Sequence, residues 1–174
     1  KGGVGKTLLA ANLGIALAQQ HKTVILIDLD LGGSNLHTIL GIRNRFPGVG
    51  HFIYKQVDSL EQLIVTTAQE RLYFIPGDGL FSGTANLPYW RKLALVKQID
   101  QLTADFVILG LGSGSTYNTL DFFLTASSGL VVTTPDTTAI LNAYSFLKGS
   151  MLRLLHRMFP ARSAEREVVR EFVQ

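Results

Sequence analysis

The seven residues that open the sequence, KGGVGKT, constrain the fold more than any other stretch. Gly2, Gly3 and Gly5 take backbone angles closed to other residues, so successive N–H groups can point into one concavity sized for a phosphate. In such a turn Lys6 reaches the β/γ oxygens of a nucleoside triphosphate and the Thr7 hydroxyl ligates Mg²⁺. The pattern G-x-x-x-x-G-K-[ST] has its first glycine one position before Lys1, so the chain is expected to start inside the motif and to lack the strand that feeds it. A glycine turn that merely caps a helix is the alternative. It does not explain why Lys6 and Thr7 stand where the phosphate mechanism needs them, directly before an amphipathic pattern.

With 174 residues, 47% of them hydrophobic, the chain suits one α/β domain and is too short for two comfortable ones. The expectation is therefore a single domain over 1–174, truncated at the N-terminus and at the C-terminus. No run approaches the ~18 apolar residues of a membrane span, and no signal-peptide pattern is present, which suits a cytoplasmic protein. The absence of cysteine excludes disulfides, thiolate-bound zinc and iron–sulfur clusters within these residues. The net charge of +3 is modest, but Arg153, Arg157, Arg162, Arg166 and Arg170 fall late in the chain. They suit either a face for nucleic acid or an anionic membrane, or a solvated helix surface with Glu165, Glu167 and Glu171 interleaved.

After the loop, Leu8, Leu9, Asn12, Leu13, Ala16 and Leu17 predict a helix ending near Gln20. The run Thr23-Val24-Ile25-Leu26-Ile27 is short, apolar and β-branched, which predicts a strand buried on both faces that ends in Asp28 and Asp30. Further strands are predicted at residues 72–75, 106–109 and 130–133, and helices at 59–65, 89–102 and 118–126. A last helical pattern runs through Ile140, Tyr144, Leu147, Met151, Leu154, Leu155 and Met158 to Phe159-Pro160, before a polar, helix-prone tail. Alternation of strand and helix argues a mainly parallel sheet, with ligands at the carboxyl ends of its strands.

The doubled lysine of K-G-G-V-G-K-T, the segment V-I-L-I-D-L-D-L-G-G-S-N-L-H, the strand A-D-F-V-I-L and the segment V-V-T-T-P-D-T-T-A-I-L-N-A-Y together resemble the MinD/ParA family of deviant Walker A ATPases. The wording is especially similar to the MinD-like flagellar-number-regulator type, called FlhG or FleN. The resemblance implies a P-loop NTPase three-layer sandwich that binds ATP and Mg²⁺ and forms a homodimer around two nucleotides. Residues Gly2, Gly3, Val4, Gly5, Lys6, Thr7 and Leu8 are then the nucleotide contacts, with Lys1 reaching the partner's nucleotide and Lys6 its own. Thr7 and Asp28 serve the metal, and Asp30 orients the attacking water, as a carboxylate beside an in-line water can. The same two aspartates can instead simply cap a turn. Gly110, Gly112, Ser113 and Gly114 correspond to switch II, and Asp136 and Asn142 to the dimer interface, although Asp136 is equally suited to starting a helix. Expected partners are a second copy, a protein that stimulates hydrolysis or is positioned by it, and a membrane surface reached through residues outside the chain. Nonspecific DNA is the weaker expectation.

One departure stands out. The family pattern puts the Walker B aspartate after Phe106-Val107-Ile108-Leu109, and this chain has Gly110. Glycine can neither hold a metal-bound water nor offset the metal's charge. Asp105 lies at the wrong end of the strand to replace it. Two readings follow: a slow ATPase acting as a molecular switch, and a nucleotide-holding scaffold with little turnover.

Overall fold

The computed structural model describes all residues except 1, 31–32, 44, 46, 78–86, 161 and 173–174. The chain forms two compact units, Gly5–Gly112 and a second made of Lys1–Val4 with Ser113–Gln174.

The first unit is built on β1 (Val24–Leu29), whose six residues are all buried. It pairs in parallel with β3 (Leu72–Ile75) on one side and β4 (Phe106–Leu111) on the other. The short β2 (Val65–Thr66) adds antiparallel to β3, giving the order β2-β3-β1-β4. A mostly parallel α/β sheet is thus as the sequence predicts, and β1 is apolar on both faces because it is central. At the amino end of the sheet the Asp105 carboxylate accepts a hydrogen bond from Thr23 N at 2.7 Å. Asp105 therefore pins the start of β1, five residues from the strand's functional end.

Helix α1 (Lys6–Gln19) covers the sheet with a face other than the predicted stripe. Ala11, Gly14 and Ala18 are the buried residues, whereas Leu8 and Leu9 are exposed. The reason is distance: an added Cβ on Gly14 would lie 3.1 Å from Leu26 Cδ2 and from Leu72 Cδ1. Only small residues allow this approach, so Leu8 and Leu9 are turned aside while Ile15 and Leu17 pack half-buried against the core. Leu36, Phe74 and Val24 complete the core cluster below.

The predicted helix at 59–65 is a 3₁₀ turn, Leu60–Leu63, that gives way to β2. Leu60 and Leu63 are buried three residues apart, as a 3₁₀ turn requires, and β-branched Ile64, Val65 and Thr66 favour extended backbone. Two short helices, α2 (Leu36–Ile39) and α3 (Val49–Ile53), lie between β1 and this turn, and α4 (Tyr89–Gln101) precedes β4.

In the second unit α5 (Tyr117–Phe123) is fastened to α6 (Thr137–Met158) by a half-buried ion pair and an aromatic contact. Arg153 donates from Nε to Asp121 Oδ1 at 2.8 Å and from a terminal nitrogen to Oδ2 at 3.1 Å. Phe123 and Phe146 meet edge to face at 4.9 Å. The polar tail folds as α7 (Ala164–Glu171), whose Arg166 donates to His156 Nε2 on α6 at 3.0 Å. Residues 130–133 are not a strand, against expectation. Strand requires a neighbour for its N–H and C=O groups, and no described strand pairs with this segment. The apolar stripe of α6, from Ile140 through Met158, has the predicted spacing, yet Ile140, Tyr144, Leu147, Met151, Leu154 and Met158 are all exposed, and the buried residues of the helix are Ala139 and Ser150.

Gly14→Val should lower unfolding stability by about 1–3 kcal/mol through overpacking against Leu26 and Leu72. Urea unfolding checks it: the midpoint falls while the slope stays unchanged.

Candidate functional site

The connection from α1 to β1 spans only residues 20–23, so α1 runs antiparallel to β1 and its amino end lies toward the strand's carboxyl end. From Gly14, which packs on Leu26, Lys6 is roughly 12 Å further along the helix axis. Asp28 is about 7 Å further along the strand in the same direction. Leu26 and Asp28 are two apart, hence on one face, and that face is the one α1 covers. The sequence thus sets Lys6 and Thr7 above Asp28 by helix and strand geometry alone.

The loop has the conformation its glycines suggest. Gly3 and Gly5 have φ of 78° and 91°, and an added Cβ at Gly2, Gly3 or Gly5 would meet nothing within 4 Å. Gly5 is the N-cap of α1 and supplies no side chain to cap it. A helix amino end faced by open space and uncapped by a side chain suits an anion. This conformation, with Lys6 and Thr7 following, fits a nucleotide phosphate.

Asp28 is buried, with 3% of its surface exposed. One carboxylate oxygen accepts from Asp30 N at 3.1 Å; the other accepts from Ser34 Oγ at 2.6 Å and Leu36 N at 3.1 Å. The carboxylate therefore ties the turn after β1 and the start of α2 to the end of the strand. Burial pushes its pKa above the ordinary aspartate value, opposed by the hydrogen bonds from Ser34, Leu36 and Asp30. A carboxylate has about four acceptor positions and three are filled, which leaves one for a water on Mg²⁺. That donor chemistry fits Thr7 and Asp28 as holders of the ion.

Asp30 is half-buried and sits on the turn that its carbonyl closes with Gly33 N at 3.1 Å. Its carboxylate lies against two glycines. An added Cβ on Gly33 would be 3.6 Å from Oδ1, and one on Gly112 only 2.6 Å. Gly110 pairs in register with Asp28, so a side chain there would share the Asp28 face. Its added Cβ would meet Ile27 O at 3.5 Å and nothing closer.

Asp28, Asp30, Gly110 and Gly112 are thus brought together at the carboxyl ends of β1 and β4. Lys1 lies outside the described residues. Ser113 is exposed and Gly114 is left-handed at φ 101°, a conformation suited to glycine. Asp136 is the N-cap of α6, accepting from Ala139 N at 2.9 Å, from Thr138 Oγ1 at 2.6 Å and from Thr134 Oγ1. Asn142 is exposed on the same helix. Four of the late arginines have partners: Arg153 and Arg157 face Asp121, Arg166 binds His156 and Arg170 pairs with Glu167. Among the described residues no helix is long and apolar enough to cross a membrane.

Sequence reasoning missed Ser34 and Gly77. Ser34 stands six residues after Asp28, a separation no short motif marks. An added Cβ on Gly77 would lie 2.7 Å from Asp28 O and 2.9 Å from Ser34 Oγ. The Pro76-Gly77 pair signals a turn in the sequence, but not what the glycine touches.

Compared with known proteins, residues 1–159 match a family model described as the CobQ/CobB/MinD/ParA nucleotide binding domain. The chain is 35% identical over 151 residues to the septum site-determining protein MinD of Bacillus subtilis, covering 82% of this chain and 53% of that protein. It is 30% identical over 156 residues to the flagellum site-determining protein YlxH of Helicobacter pylori, covering 85% and 50%. Among solved structures, MinD of Pyrococcus horikoshii complexed with Mg-ADP matches with a TM-score of 0.73 at 24% identity, covering 85% of this chain and 61% of that one. The MinC:MinD cell division complex of Aquifex aeolicus matches at 0.71 with 27% identity, covering 91% and 61%. The chain spans about half the length of the curated relatives it matches.

Ser34→Ala removes a hydrogen bond to the ionised form of Asp28. A buried carboxyl with a raised pKa stabilises the fold while protonated, and that contribution is lost as pH rises through its folded pKa. The serine offsets part of this loss, so Ser34→Ala should destabilise by about 1.5–3 kcal/mol at neutral pH and by less on acidification. Urea unfolding across a pH series reads the difference.

Proposed function

Because the chain belongs to the CobQ/CobB/MinD/ParA nucleotide-binding family, we propose that it carries the ATP site of a MinD/ParA-type molecular switch. The observation that carries this reading is the left-handed glycine loop entering α1 on the face of β1 that presents Asp28. In this reading residues 2–8 hold ATP, with Lys6 neutralising the outer phosphates. Thr7 and Asp28 hold Mg²⁺, which supplies charge neutralisation at the phosphates when bound. Asp30, half-buried and free of side-chain crowding at Gly33 and Gly112, orients a water toward the γ-phosphate. The segment Gly110, Gly112, Ser113 and Gly114 responds to whether that phosphate is present.

The family match runs through both compact units, which supports treating them as one nucleotide-binding domain. ATP-dependent pairing of two copies, with Lys1, Asp136 and Asn142 toward the partner, follows from the same resemblance. So do a cytoplasmic location, a protein partner that stimulates hydrolysis or is positioned by it, and a peripheral membrane association. DNA binding is less favoured, because most of the late arginines are engaged within the chain.

Gly110 favours a second reading, a scaffold that holds nucleotide with little turnover. It stands beside Asp28 in register, where a carboxylate would complete the metal's water shell. The space at this position accepts a Cβ at ordinary contact distance, so Gly110→Asp is a fair test. For the switch, both forms release phosphate and Asp30→Asn abolishes release. For the scaffold, Gly110 binds ATP without release, and Gly110→Asp raises Mg²⁺ affinity or turnover by about 10–100-fold. ATP binding that survives Lys6→Ala unchanged would overturn both readings.

A further inference from the structure

Two aromatic rings and two cations from α3 and α4 form a cluster that the nucleotide site does not use. Tyr54 caps the end of α3, and the next residue, Lys55, is held in the left-handed region at φ 59°. α4 opens with Tyr89, Trp90 and Arg91. The Arg91 guanidinium carbon lies 4.9 Å from the ring centroids of both Tyr54 and Trp90, and Lys55 Nζ lies 6.0 Å from the Trp90 centroid. Stacking of this kind fixes the plane of a guanidinium.

The cluster has an unmet need. Among the described residues no carboxylate pairs with Lys55 or Arg91. Arg91 Nε is shielded from water and has no hydrogen-bond partner there. A buried donor left unsatisfied is a cost that native structures rarely carry without reason. Meanwhile Tyr89 is 59% and Trp90 54% exposed, an unusual presentation for large aromatic side chains at the head of a helix. Tyr, Trp and Arg together are the residue types that dominate binding hot spots.

We infer that this cluster is a docking site for an acidic peptide segment of a partner protein. The terminal nitrogens of Arg91 and the Lys55 ammonium take its carboxylates, and its side-chain carbons lie on Trp90. Charge complementarity sets the choice of occupant. Two unpaired cations suit one or two carboxylates, whereas single-stranded nucleic acid needs a longer cationic track along its backbone. A membrane surface needs a broader basic and apolar face than two cations and two rings provide. The inference does not depend on nucleotide turnover.

Trp90 is the one tryptophan of the sequence, so its fluorescence reports on this site directly. Titrating the chain with a hexaglutamate peptide, without nucleotide, should change Trp90 emission saturably and more weakly as salt rises. Arg91→Gln should weaken binding roughly tenfold. Lys55→Asn, which keeps a residue tolerant of the left-handed backbone, should weaken it about threefold. If Arg91→Gln does not fold by circular dichroism, Arg91→Lys takes its place, keeping charge but losing the fork. Unchanged emission, binding indifferent to both positions, or a response confined to phosphatidylglycerol vesicles or oligothymidylate would overturn the proposal.

Discussion

A single buried carboxylate at the end of the central strand organises the candidate site. Asp28 accepts from Asp30 N, Ser34 Oγ and Leu36 N, so the chain leaving β1 is folded back over the strand end and launched into α2. The neighbouring strands accommodate this by ending in glycine. Gly77 after β3 lies where a Cβ would be 2.7 Å from Asp28 O, and Gly112 after β4 where one would be 2.6 Å from Asp30 Oδ1. Both are steric requirements, since backbone and a short carboxylate cannot give way as a flexible side-chain tip can. Gly110 is different. Its nearest neighbour to an added Cβ is at 3.5 Å, so packing does not demand glycine there. Its effect is chemical, the absence of a carboxylate in register with Asp28.

The parts of this arrangement that were legible in the sequence are those set by local rules. The glycine loop, the apolar run of β1, its terminal aspartates and the boundaries of β3 all follow from periodicity and from the conformational freedom of glycine. Helix α1 was legible as a helix but not by face. Hydrophobic spacing points to Leu8, Leu9 and Leu13, whereas the sheet selects Ala11, Gly14 and Ala18 because contact distance outweighs side-chain size. Residues 130–133 have strand composition without a described pairing partner, and composition cannot supply one. Ser34 and Gly77 act through space on Asp28, which is invisible to any reading along the chain.

Charge was similarly ambiguous until partners could be assigned. Five late arginines suit an anionic surface when counted, yet Asp121 faces two of them, and His156 and Glu167 hold two more. The Asp121–Arg153 pair is the consequential one, since Asp121 is buried and Arg153 meets it with two hydrogen bonds. Basic composition here mostly fastens α5, α6 and α7 to one another. Lys55 and Arg91, which have no carboxylate partner among the described residues, lie in the other unit and are not conspicuous by count.

The chemistry of Gly110 can be weighed against Asp28. Burial already raises the Asp28 pKa, and the nearby charge of Asp30 adds to it as the smallest contribution. A third carboxylate in register on β4 would stand roughly 5 Å from Asp28. At an effective dielectric near 20 the repulsion between two such charges is about 3 kcal/mol. Without a cation that repulsion would push one of the pair toward its neutral form; with Mg²⁺ present it turns into shared attraction for the ion. Glycine removes both effects together. The strand end then folds with less electrostatic strain, and in the proposed site the grip on Mg²⁺ would rest on Asp28 with Thr7. In the proposed site nucleotide binding and hydrolysis would separate at this one position: the phosphate loop does not involve Gly110, while the water shell of a bound ion would.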